Sequence, residues 1–246
     1  MSYSIQLYTV RKALEEDLAG TIQRLAEIGF TMVEPYRFVA KAAELKQALA
    51  ANNLTAPSGH APLLREDQDE IFAAARELGI GTVIDPHVPI ERWNSIADIK
   101  ETAEQLNAAA AKGAKYGVRV GYHNHWWEIE SVIDGKTALE HLADNLDPAV
   151  VLELDTYWAA VGGQNPAELL ARLGDRVRFI HIKDGPLTSD PSSQTAVGDG
   201  KMAIWDVLAA AAAIETGVIE LDDFQGDMFD AVRDSYQYLI AGKVSA

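Results

Sequence analysis

The chain has 246 residues, 48% of them hydrophobic and 24% charged, with no cysteine and a formal net charge of −16. Length and composition suit one globular domain over residues 1–246, and the lack of cysteine excludes disulfides, thiolate nucleophiles and thiolate-ligated metals. The acidic balance argues against nucleic acid, whose phosphates require clustered Lys and Arg; no apolar run nears the roughly 20 residues of a membrane span, and Met1 to Gln6 lack a signal-peptide pattern. A cytoplasmic protein without membrane or nucleic-acid partners is therefore expected.

Along the chain, short apolar runs alternate with amphipathic stretches. A run at 4–8 precedes a helical pattern over 17–28, in which Leu18, Ile22, Leu25 and Ala26 fall three or four residues apart, as one helix face requires. A run at 31–34 leads to a helix over 41–52, one at 54–56 to a helix over 68–78, and one at 81–84 to a helix over 96–116. Four further runs stand at 118–121, 150–154, 177–182 and 217–221, and the alanine run 209–213 reads as helix. Gly29, Gly79, Gly117 and Gly174 fall at helix-to-strand junctions, where a left-handed cap is favoured. The segment from Gly185 to Gly200, rich in Ser, Pro, Thr and Asp, reads as a long loop, either a lid or disordered. Eight alternations predict a parallel (β/α)8 TIM barrel. The doubly wound alternative lacks a glycine-rich phosphate fingerprint after the first strand.

In such a barrel function gathers where the strands end. Those ends carry Gln6 and Tyr8, Glu34 and Tyr36, His60, Asp85 and His87, His123 and His125, Glu153 and Asp155, His181 and Lys183, and Glu220 and Asp222. Any one of them can be an ordinary helix cap, ion pair or packed side chain. Their convergence is what marks a site. His123 and His125, two residues apart in Gly121-Tyr122-His123-Asn124-His125, share a face if the strand continues through them, with Asn124 on the other.

The segments Ile5-Gln6-Leu7-Tyr8-Thr9-Val10-Arg11, Gly121 to His125, Leu154-Asp155-Thr156-Tyr157-Trp158, His181-Ile182-Lys183-Asp184, Gly198-Asp199-Gly200 and Ile219-Glu220-Leu221-Asp222 resemble the sugar phosphate isomerase/epimerase family of the divalent-metal TIM-barrel superfamily. The resemblance implies one divalent ion held by the ends of the last four strands, here Asp155, His181 and Glu220. At the first of these positions His123 stands where relatives carry Glu. The fourth ligand is then His123, or Glu128 from the following loop, or absent. Two imidazoles and two carboxylates suit Mn²⁺, Co²⁺, Zn²⁺ or Fe²⁺ better than Mg²⁺.

The resemblance further implies chemistry on a small carbohydrate: a sugar, keto-polyol or keto-glycoside loses the proton beside its carbonyl, in an isomerisation, epimerisation or elimination. His125 is the expected base, with Glu220 the alternative, and Lys183 the expected oxyanion stabiliser. Gln6, Glu34, Tyr36, His60, Trp158 and Lys183 are expected to bind substrate. Trp126, Trp127 and Trp158 suit stacking on a sugar ring or filling a subunit interface, so a homo-oligomer stays open. The rival readings are a non-catalytic sugar-binding barrel and, disfavoured by charge, an apurinic endonuclease.

Overall fold

The computed structural model describes residues 2–211 and 214–242. In chain order the strands are β1 (Ser2–Gln6), β2 (Val33–Glu34), β3 (Ser58–His60), β4 (Thr82–Asp85), β5 (Arg119–His123), the small hairpin β6 (Val132–Ile133) and β7 (Lys136–Thr137), then β8 (Val150–Asp155), β9 (Val177–Ile182) and β10 (Thr216–Ile219). All but the hairpin form one parallel sheet in the order β2-β1-β10-β9-β8-β5-β4-β3. Its two edges meet: the Val33 N–H donates to the Thr55 carbonyl at 2.9 Å, His60 N–H to Pro35 at 2.8 Å and Arg37 N–H to His60 at 2.9 Å. The sheet is thus the expected eight-stranded barrel, with helices between its strands.

The third strand lies later than the apolar run at 54–56 implies. Thr55 makes only an isolated bridge to Met32, and regular pairing with β4 begins at Ser58. Pro57, which has no N–H to give a ladder, stands between the two segments. The helices follow the amphipathic pattern closely. Leu18–Ile28, Gln68–Leu78 and Ile96–Gly113 are capped by the side chains of Asp17, Asp67 and Ser95. Of the alanine run 209–213, the helix Ile204–Ala210 takes in the first two, and residues 212–213 lie outside the described residues.

Side-chain alternation decides what fills the barrel. On β8, Leu152 and Leu154 join the outer core under the helices, while Val151 packs inside with Ile84 and Phe179 as a separate apolar plug. The same period of two carries Glu153 and Asp155 up from Val151, and His181 and Lys183 up from Phe179, into the barrel above that plug.

Candidate metal centre and active-site cleft

Above the plug the interior is polar and charged. Glu34, Glu153, Asp155 and His181 have 0 or 1% of their surface exposed, and His123, Lys183, Glu220 and His60 only 1 to 6%. Two overlapping sets of donors each lie within 4.8 Å: His60, His123, Glu153 and His181 below, and His123, Asp155, His181 and Glu220 above.

The two shared histidines face both ways. His181 Nδ1 lies 2.6 Å from Glu220 Oε2, while its Nε2 lies 2.9 Å from Glu34 Oε1 and 3.0 Å from Glu153 Oε2. His123 Nε2 points toward Asp155 Oδ2 at 3.8 Å and its Nδ1 toward Glu153 Oε2 at 3.1 Å. Glu153 Oε2 also meets His60 Nε2 at 2.6 Å. Beneath, Gln6 Nε2 donates to Glu34 Oε1 at 2.9 Å and the Ser58 hydroxyl donates to Glu34 Oε2. Ligating histidines ordinarily give their second ring N–H to a carboxylate, which fixes tautomer and ring orientation. Glu153 and Glu34 stand where such carboxylates stand for an ion in the upper set.

The upper set also carries a structural duty. Asp155 Oδ1 accepts the Trp158 N–H at 2.8 Å and so caps the helix Thr156–Val161, leaving Oδ2 turned to the cluster. Asn124, on the face opposite His123, holds β8 in place by accepting the Asp155 N–H at 3.0 Å. Lys183 Nζ is ion-paired with Asp155 Oδ2 at 2.9 Å, Glu220 Oε2 at 2.8 Å and Asp222 Oδ2 at 2.7 Å. Its charge is used within the cluster, and neither Asp184 nor Glu153 pairs with it.

Electrostatics favour a further cation. Five carboxylates, Glu34, Glu153, Asp155, Glu220 and Asp222, face a single lysine. Burial alone would lower His181, but Glu153 and Glu220 overcome it and raise its pKa well above the ordinary range: the cluster seeks positive charge at that ring. Burial, then the neighbouring His181, holds His123 well below its ordinary value, so that it is neutral with a lone pair to offer. Burial opposes ionisation of Glu220, yet Lys183 and His181 hold it well below the carboxylate range. Glu153 Oε1 is a buried oxygen that accepts no hydrogen bond. The upper donor set of two imidazoles and two carboxylates fits a divalent transition ion.

Two members of the upper set, His123 and Glu220, line a cleft of about 580 Å³, together with Tyr36, His60, His125 and Asp222 among others. His125 lies just past the end of β5, with its ring stacked on Trp127 at 4.2 Å between centroids and 5.3 Å from the His123 ring. Its Nδ1 is buried without a hydrogen-bond partner, 3.9 Å from Glu128 Oε1. Glu128 is withdrawn from the cluster: it accepts the Tyr122 hydroxyl at 2.6 Å and the His125 N–H at 2.8 Å. Of the residues expected to touch substrate, Tyr36 and His60 reach the wall, whereas Gln6 and Glu34 lie fully buried beneath it and Trp158, 5% exposed, packs under Lys183.

The long segment after β9 is ordered and folded back. Its anchor is Asp184, whose carboxylate accepts the N–H groups of Gly185, Gly198 and Met202. A Cβ at Gly200 would stand 2.0 Å from Asp184 Oδ1, so the close approach requires glycine there. Gln194 then exchanges two hydrogen bonds of 2.8 Å with Asp222 at the cleft floor.

The sequence profile of the xylose isomerase-like TIM barrel family matches residues 22–240. The chain belongs to this family. An inosose dehydratase of Geobacillus kaustophilus is 33% identical over 93 residues, 37% of this chain but only 27% of that protein, so the matched stretch spans about a quarter of the curated relative's length. A sugar phosphate isomerase/epimerase from Parabacteroides distasonis superposes with a TM-score of 0.82 at 26% identity, over 98% of this chain and 94% of that one. A structure of an IolI protein with a bound zinc atom has a TM-score of 0.75 at 14% identity, covering 98% of this chain and 97% of that one, and speaks for the fold alone. In this family member the carboxylate layer of Glu34 and Glu153 is what strand-end reasoning misses as a unit. The available signal was the period of two, which places Glu153 directly below Asp155 on the inner face.

Proposed function

We propose that this chain is a divalent-metal-dependent enzyme that acts on a sugar, keto-polyol or keto-glycoside by moving the proton beside its carbonyl, as an isomerase, epimerase or dehydratase/lyase. The observation that carries this reading is the upper donor set, with both histidines backed by buried carboxylates and with His123 and Glu220 lining a cleft sized for a small ligand. The matched stretch of an inosose dehydratase and the likeness to a sugar phosphate isomerase/epimerase support the substrate class.

His123, Asp155, His181 and Glu220 would hold the ion, which supplies Lewis acidity toward a carbonyl and its neighbouring hydroxyl. Glu153 and Glu34 orient the two imidazoles from below, and Gln6 and Ser58 orient Glu34. Lys183 pairs with Asp155, Glu220 and Asp222 at the floor. His125, on the cleft wall, takes the proton from carbon, while Tyr36 and His60 meet substrate hydroxyls. The mixed nitrogen and oxygen shell favours Mn²⁺, Co²⁺, Zn²⁺ or Fe²⁺ over Mg²⁺. Incubation of metal-loaded protein with a keto-polyol such as an inosose in D₂O, followed by NMR, should show exchange of the proton beside the carbonyl that stops on chelation. Exchange that persists undiminished without metal overturns the proposal.

A further inference from the structure

At its mouth the cleft carries a charge opposite to that of the whole chain. Among its lining residues are Arg11 from the segment after β1, Arg37 from that after β2 and Arg65 from that after β3. The chain has eleven arginines and a net charge of −16. Among the described residues, Arg24, Arg92, Arg119, Arg172, Arg178 and Arg233 are each engaged by a carboxylate within 4.0 Å, Arg176 is taken up by the carbonyls of Leu146, Asp147 and Val150, and Arg76, away from the cleft, has no such partner. Among the described residues no carboxylate lies within that distance of the three at the cleft, although the chain has 37 Asp and Glu and Glu15 shares the same wall.

Two of the three are held in place. Arg11 donates from Nη1 to the Tyr8 carbonyl at 3.0 Å, and its guanidinium lies 4.1 Å over the Tyr8 ring. Tyr8 in turn meets Tyr36 edge-on at 5.3 Å. Arg37 adopts a φ of +42°, a left-handed conformation unusual for an arginine, and its N–H is pinned to the His60 carbonyl at 2.9 Å. Strained backbone at a cleft wall is tolerated where it aims a side chain. The floor is rich in carboxylates and the mouth in guanidinium groups, so the cleft is polarised along its depth.

We infer that the arginine rim binds an anionic oxyacid group, carboxylate or phosphate, at the end of the substrate remote from the reacting carbonyl. The planar guanidinium fork matches both groups, whereas the floor carboxylates would repel them. The inference deepens the proposed function, in that it names the substrate class as an anionic keto-sugar or keto-acid, and it rests on that reading's claim that the substrate occupies this cleft.

The test compares three ligands on one carbon skeleton, D-fructose, D-fructose 6-phosphate and 5-keto-D-gluconate, by calorimetric titration of wild type and an Arg37→Gln/Arg65→Gln double variant. One guanidinium–oxyanion contact is worth about tenfold in affinity. At least one anion should bind wild type about tenfold or more tightly than fructose, and the one preferred tells phosphate from carboxylate. That ratio should shrink as salt rises and fall to within about threefold of unity in the double variant. Equal affinity for all three ligands, no binding of either anion, or a ratio kept by the double variant overturns the inference. Repeating the titration after chelation separates the two readings: a ratio that survives without metal upholds the rim even if proton exchange proves independent of metal.

Discussion

Glu153→Gln isolates the layer that orients the histidines. Glu153 Oε2 lies 2.6 Å from His60 Nε2, 3.0 Å from His181 Nε2 and 3.1 Å from His123 Nδ1, so one oxygen serves three imidazoles. An amide of the same shape keeps the packing but removes the charge. A hydrogen bond to a charged partner exceeds a neutral one by about 1 kcal/mol, so two ligating histidines lose about 2 kcal/mol, or roughly 30-fold in metal affinity. That agrees with the 10- to 100-fold loss typical of residues that orient metal ligands. The assay is Co²⁺ titration against a competing chelator, with visible absorption reporting the coordination sphere. Weakened binding with an unchanged spectrum is expected. Unchanged affinity would show that Glu153 does not orient the ligands, and loss as complete as in Asp155→Asn, with an altered spectrum, would make Glu153 itself a ligand.

Other perturbations separate the remaining roles. His123→Gln should weaken metal binding by about a hundredfold, whereas Glu128→Gln should retain the ion and cost about 2 kcal/mol of stability through its bonds to Tyr122 and His125, read by denaturant titration. His125→Asn should keep the metal and slow solvent deuterium exchange into a keto-polyol by about 10² to 10⁴; exchange at the wild-type rate would remove His125 from the chemistry. At the opposite end of the barrel Glu215 binds Arg119 at 2.6 and 2.9 Å and Arg178 at 2.9 Å, and hydrogen bonding to Arg119 holds its carboxyl below the ordinary value of 4.5. Because its folded pKa is depressed, its contribution is full above about pH 4.5 and is lost as pH falls through the lowered value. Glu215→Gln should therefore cost about 1 kcal/mol at neutral pH, with a gap to wild type that closes in acid and no effect on metal.

The barrel was legible because its two periods are written plainly: strand runs separated by helices whose apolar residues recur every three or four positions. The third strand was misplaced because Leu54 to Ala56 look more strand-like than Ser58 to His60, while Pro57 decides where pairing can start. At the site, Asp155, His181, Glu220 and His123 come together as their strand-end positions imply, since each strand delivers its last inward residue to the same end. What strand ends alone could not tell is depth. Gln6 and Glu34 are fully buried and do not line the cleft, and Lys183 is ion-paired with Asp155, Glu220 and Asp222. Nor does composition reveal that three of so few cations gather unpaired at one mouth, because that juxtaposition is made by the ends of β1, β2 and β3.

The central claim is that the upper donor set holds the ion and the lower carboxylates orient it. Anomalous diffraction at the absorption edge of the bound metal, from crystals of protein prepared with Mn²⁺ or Zn²⁺, tests this directly. One peak per chain is predicted, in contact with His123, Asp155, His181 and Glu220. No peak there, or a peak coordinated by His60 and Glu153 in the lower set, would contradict the account.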